Sequence, residues 1–84
     1  RRTVRYFAWL REKVGRAEEV LDVPAGVATV SDLVEWLAAR SPEYQDAFRS
    51  RGVVRAALDH VHAKSGALLR GAREIAFFPP VTGG

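Results

Sequence analysis

Apolar and polar positions along this chain follow two different periods, and the changes between them mark its elements. Residues 3–10, rich in β-branched and aromatic side chains, predict a first strand. Val4, Tyr6 and Ala8 fall on one face of it, and Arg5, Phe7 and Trp9 on the other. Both faces are partly apolar, which places the strand in the centre of a sheet with a helix over one side. Residues 10–14 carry Arg11, Glu12 and Lys13 and predict a short helical turn closed by Gly15. Residues 18–23 read as a short second strand, stopped by Pro24 and Gly26.

The period then changes to that of a helix. Thr29 with Asp32 three residues on fits a capping box, in which each side chain satisfies a free donor of the first turn. Val30, Leu33, Val34 and Leu37 recur at i, i+3, i+4 and i+7 as one buried stripe. Trp36 flanks that stripe over the sheet edge. Ser41 and Pro42 start a second, shorter helix, with serine at the cap and proline at the first helical position. Tyr44, Ala47 and Phe48 form its apolar face, and Gly52 ends it. Residues 53–58 predict a third strand. Residues 60–71 predict two short, weak strands, around Val61 and Ala63 and around Leu68 and Leu69, joined by a turn at Lys64-Ser65-Gly66. Residues 75–78 (Ile-Ala-Phe-Phe) are the last strand.

The order is β, β, α, short α, β, weak β, β. The first and last strands are the most apolar, so they are expected side by side and parallel in the sheet's centre, with more polar strands at the edges. This defines an α+β fold of the β-grasp, ubiquitin-like kind: a mixed sheet of four to five strands with one main helix packed on one face. The domain spans residues 1–78, and residues 79–84 form a flexible C-terminal tail ending in Gly-Gly.

Composition narrows the chemistry. The 48% hydrophobic and 27% charged fractions are those of a globular domain. With no cysteine there are no disulfides, thiolate nucleophiles or sulfur-ligated metals, and a cytoplasmic location is expected. No apolar run approaches the roughly 18 residues of a transmembrane helix, and no signal-peptide pattern precedes the domain. The net charge of +3 comes from scattered basic residues interleaved with acids, not from a basic groove, so neither nucleic acid nor membrane is expected as a partner. His60 and His62 would share a strand face, but Asp59 would point away from them, and they read as edge-strand histidines with no metal site. Glu18 and Glu19 are adjacent, face opposite ways on a strand and make no acid/base pair. No glycine-rich loop joins a strand to a helix, and the serines have no histidine in a triad-like setting.

What is left is the tail. Pro79 and Pro80 remove two backbone donors and end the sheet ladder. Gly83 and Gly84 leave a tip of bare backbone, slim enough for a narrow site. Residues 79–84 reach about 20 Å when extended. The reactive group is expected to be the main-chain carboxylate of Gly84. A carboxylate acylates nothing until converted to an acyl adenylate or similar anhydride, which calls for a partner holding ATP and magnesium.

The segment Glu74-Ile75-Ala76-Phe77-Phe78-Pro79-Pro80-Val81-Thr82-Gly83-Gly84 closely resembles the C-terminus of the MoaD family, the small subunits of molybdopterin synthase. Val4-Arg5-Tyr6-Phe7-Ala8, with Leu10-Arg11-Glu12 and Val14-Gly15, resembles that family's first strand and turn, and the helix opening at Thr29-Val30 stands where the family has its main helix. The chain departs from the family at Asp59, where the family often has asparagine. It departs again at Gly71-Ala72-Arg73-Glu74, where the family has an Asp-Gly-Asp-Glu type of turn. The turn geometry and edge contacts there are not carried over.

The resemblance implies a ubiquitin-like sulfur carrier. An adenylating enzyme of the ubiquitin-activating type would join AMP to Gly84, and a sulfur donor protein would convert the adenylate to a thiocarboxylate. The tail (Pro79, Pro80, Val81, Thr82, Gly83) would insert into the large synthase subunit, in a complex of two of each, and give sulfur to cyclic pyranopterin monophosphate in molybdenum cofactor biosynthesis. The chain would be a non-catalytic, sulfur-donating subunit that binds no cofactor, ATP being consumed by its activating partner. Phe78 with Phe7 or Trp9 would form a partner interface if Phe78 faces away from the helix, the other reading of Phe78 being core packing. Alternatives are a sulfur carrier of the thiamine type, a protein modifier ending in an isopeptide bond, and a non-covalent binding module with an incidental tail.

Overall fold

The structure, a computed structural model, describes residues 1–50 and 54–80. The predicted positions Gly52, Val53, Val81, Thr82, Gly83 and Gly84 lie outside the described residues. Five strands form one mixed sheet: β1 (Arg2–Tyr6), β2 (Glu18–Leu21), β3 (Arg55–Leu58), β4 (Val61–Ala63) and β5 (Glu74–Phe78), in the order β2-β1-β5-β3-β4. β1 and β5 pair in parallel at the centre, Val4 opposite Ile75 and Tyr6 opposite Phe77, and the other pairings are antiparallel.

Three helices cover one face: α1 (Trp9–Val14), α2 (Val30–Ala38) and α3 (Pro42–Gln45), the last running into a π-helical turn (Asp46–Ser50). The caps are those written in the sequence. Thr29 accepts from the Asp32 N–H and Asp32 accepts in return from the N–H of Thr29. The Ser41 hydroxyl accepts from the Tyr44 N–H, and Gly15 closes α1 in the left-handed region at φ 88°. Leu33 and Leu37 are fully buried in the same cluster as Val4, Tyr6, Ile75 and Phe77. Phe48 stands edge-on to Phe77 at 5.0 Å.

Three expectations need correction. The first strand ends at Tyr6, because Ala8 turns the chain at φ 56°, ψ −135°, a conformation costly for any residue with a Cβ. Trp9 therefore opens α1 and packs against the core instead of extending the strand's other face. Leu68 and Leu69 form no second weak strand: Leu68 makes a single bridge to Thr29, and Leu69 is buried as a core anchor. Finally, Asp59 and His60 are the two residues of a tight β3–β4 turn, both at positive φ (47° and 73°), so strand alternation does not decide where they point.

Candidate functional site

The pairings fix which side chains share the sheet face away from the helices. Arg5 lies between Glu18 on β2 and Ala76 on β5, Ala76 lies opposite Ala57 on β3, and Ala57 lies opposite His62 on β4. Because side chains alternate along a strand, Glu74, Ala76 and Phe78 take this face while Ile75 and Phe77 take the core. Among the described residues no helix lies on this face. Ala57 and Ala76 are small enough to leave a hollow of about 500 Å³ between their larger neighbours, with Phe7, Phe78, His60, His62 and Arg5 around it. Pro79 and Pro80 are on its rim.

Phe78 thus faces away from the helices, half-buried, with its ring 5.2 Å from that of His62. Phe7 stands beside it, 41% exposed, under the Arg5 guanidinium at 5.3 Å. Phe7 and Phe78, set apart in the sequence as interface residues, are brought together; Trp9, their possible companion, is not. Below the aromatic pair runs a row of charges. Arg5 reaches Glu18 (3.5 Å) and Glu74 (3.9 Å), and the His60 ring nitrogen lies 3.8 Å from Glu74. Arg5, Glu18 and His60 are at least partly open to solvent, which weakens these pairs, while Glu74 is mostly covered; together they give the face a polar edge. Sequence reading missed His62 as part of the apolar patch, and Ala57 and Ala76 as its floor. Once β1 and β5 are parallel neighbours, the period-2 pattern of 55–58 and 74–78 contains the signal. Among the described residues, no three metal-ligating side chains converge.

A second polar centre lies on the helix side. Glu19, its side chain only 8% exposed, accepts hydrogen bonds at Oε2 from the hydroxyls of Tyr6 and Tyr44, both at 2.6 Å. Its Oε1 lies 3.2 Å from Arg16 and 3.4 Å from Arg40. Arg40 in turn stacks over Tyr44 at 4.9 Å and Trp36 at 5.5 Å. Burial alone would raise the Glu19 pKa, but the hydroxyls of Tyr44 and Tyr6, then the charges of Arg40 and Arg16, outweigh it and hold the carboxyl below its ordinary range. The tyrosines move the other way: burial first, then the bond to Glu19 and its charge, push both hydroxyls above the ordinary range. This centre ties β1, β2 and α3 together and offers no open position to a substrate.

The parallel central pair, the crossing helix and the bare opposite face define a ubiquitin-like β-grasp domain. The chain belongs to the ThiS family, which it matches over residues 4–84. The molybdopterin synthase sulfur carrier subunit of Escherichia coli is 37% identical over 81 residues, covering 96% of each chain. Among solved structures, SAMP1 from Haloferax volcanii superposes with a TM-score of 0.70 at 29% identity, over 98% of this chain and 97% of that one. The putative molybdopterin converting factor, subunit 1, from Pyrococcus furiosus gives 0.72 at 26% identity, over 94% and 95%. The likeness to the synthase small subunits, first evident in the opening strand and the tail, therefore extends over nearly the whole chain.

Proposed function

We propose that this chain is the sulfur-carrier subunit of a molybdopterin synthase. The observation that carries the reading is the placement of β5. It is the central strand beside β1, it turns Phe78 onto the uncovered face, and it passes directly into Pro79 and Pro80 at the rim of the hollow. A partner that takes the following residues into its own site meets that apolar face as it does so. The 37% identity to a sulfur carrier subunit supplies the cargo.

In this reading the Gly84 carboxylate attacks the α-phosphorus of ATP on an adenylating partner, releasing pyrophosphate and forming an acyl adenylate. Sulfide-level sulfur released by a sulfur donor protein then attacks the acyl carbon, the C–O bond to AMP breaks, AMP leaves, and the terminus becomes a thiocarboxylate. Gly83 and Gly84 thread the large subunit's site as bare backbone, and Val81 and Thr82 span the distance from the proline pair. Sulfur passes to cyclic pyranopterin monophosphate, water cleaves the carbon–sulfur bond and supplies the replacing oxygen, and the chain returns as carboxylate. It contributes the donor group and the docking face, its partners supply ATP and the acceptor, and the cycle runs in the cytoplasm.

The test is intact mass after incubation with the adenylating enzyme, ATP and a sulfur source. A gain of about 16 Da, one oxygen replaced by sulfur, is expected in the intact chain and, after digestion, in its C-terminal peptide. An unchanged terminus, or Gly84 found only in amide linkage to lysine, would overturn the reading.

A further inference from the structure

The stretch that launches β5 is held by two charged side chains that belong neither to the apolar core nor to the hollow. Arg2, at the start of β1, donates from Nη1 to the carbonyls of Leu69 (2.6 Å) and Ala72 (2.7 Å). Asp59, in the β3–β4 turn, accepts at Oδ1 from the N–H groups of Arg73 (3.0 Å) and Glu74 (2.9 Å), with Arg73 also 3.3 Å from Oδ2. The Asp59 N–H donates to the Glu74 carbonyl, and the Thr3 N–H donates to that of Arg73, both at 2.9 Å. A cation thus holds the carbonyls of Leu69 and Ala72 around Gly71, where the chain turns at φ 84°, and an anion holds the two amides that follow. Charge-assisted bonds of this kind are the stronger ones.

The apolar pattern of β5 leaves one ambiguity that this clamp removes. Burial of Ile75 and Phe77 decides which face each residue takes. A slip of two residues would preserve that alternation, yet it would move Pro79 and everything beyond it by about 7 Å. The Asp59 carboxylate is bound to two particular amides, so it distinguishes the two registers. We infer that Asp59, assisted by Arg2, is a positioning residue for the tail: it fixes where β5 begins and hence how far residues 79–84 reach into a partner. What the tail then delivers rests on the sulfur-carrier reading; the clamp does not.

The test compares the full chain with Asp59→Ala and with Asp59→Asn, whose amide oxygen still accepts. Amide exchange is expected to quicken about tenfold or more in Asp59→Ala at Arg73, Glu74 and along β5, relative to the β1–β2 ladder. Sulfur transfer from the thiocarboxylated chain at saturating large subunit is expected to fall about 10- to 100-fold, with partner affinity retained. Asp59→Asn is expected to restore most of both. The inference is overturned if Asp59→Ala quickens all amides alike, or none, or transfers at the wild-type rate. Should Asp59→Ala fail to fold, Arg2→Gln is read by the same local-against-global criterion. If the unaltered chain takes up no sulfur, the functional reading falls, and the exchange pattern alone still decides the clamp.

Discussion

Replacing Glu19 measures how much of the fold depends on one buried carboxylate. Glu19→Ala removes the acceptor of two 2.6 Å bonds and leaves the hydroxyl of Tyr6, a residue 1% exposed, without its partner. Removing one member of such a buried charged network costs about 3–5 kcal/mol, against a total of roughly 4–13 kcal/mol expected for a domain of this size. Glu19→Gln keeps the shape and one acceptor but loses the charge, and is expected to cost about 1–3 kcal/mol. With a urea slope of about 1 kcal/mol/M, that lowers the midpoint by about 1–3 M. The pH dependence follows from the direction of the shift. The folded-state pKa of Glu19 lies below its unfolded value of about 4.3. Its stabilisation is therefore present above that pH and is lost as pH falls through the folded-state value. Urea melts of wild type and Glu19→Gln from pH 7 down to about pH 2.5 should show a gap that closes as the carboxyl protonates. Because Asp32, whose carboxyl is also held low, is common to both chains, the difference isolates Glu19. A gap absent at pH 7, or undiminished at the lowest pH, would refute the assignment.

Further outcomes test the rest. The chain has two tyrosines, and both hydroxyls are held above their ordinary range in the folded state; stability is present below the unfolded value of about 10 and is lost as pH rises beyond it. Tyrosinate absorbance should therefore appear at higher pH in the folded chain than in the urea-unfolded chain, and tyrosines that ionise at the unfolded value while the chain is still folded would contradict the Glu19 centre. Phe77→Ala, in the core, is expected to cost about 3–5 kcal/mol in thermal or urea melts. Phe78→Ala should cost much less yet weaken binding to the large subunit about tenfold or more, as calorimetry would show; the reverse ranking would put Phe78 in the core after all. Adding one residue after Gly84, or Gly84→Ala, should abolish sulfur transfer without changing the melting temperature.

Much of the architecture was legible because it rests on local energetics. The capping box of Thr29 and Asp32, the Ser41 cap, the i, i+4 stripe of α2 and the alternation of Val4 and Tyr6 each involve residues a few positions apart. The two most apolar strands could also be paired at the sheet's centre, since burial on both faces selects such sequences. The family and the sulfur-carrier reading came from the opening strand and the run of 74–84. What could not be read locally is what depends on distant residues meeting. In the sequence Glu19 is one of two adjacent strand acids, and only α3 brings Tyr44 to it, from 25 positions away. The aromatic-rich run through Trp9 looked like continuous strand, and the backbone turn at Ala8 ended it. Asp59 reaches Arg73 and Glu74 across 14 and 15 positions. Phe78 had two possible faces, and only the register of β5 between β1 and β3 chose the open one. Sequence by itself determined the helix caps, the buried stripe of α2 and the central strand pair. The tertiary structure decided which side chains met, because a contact between remote residues depends on the packing of every element between them.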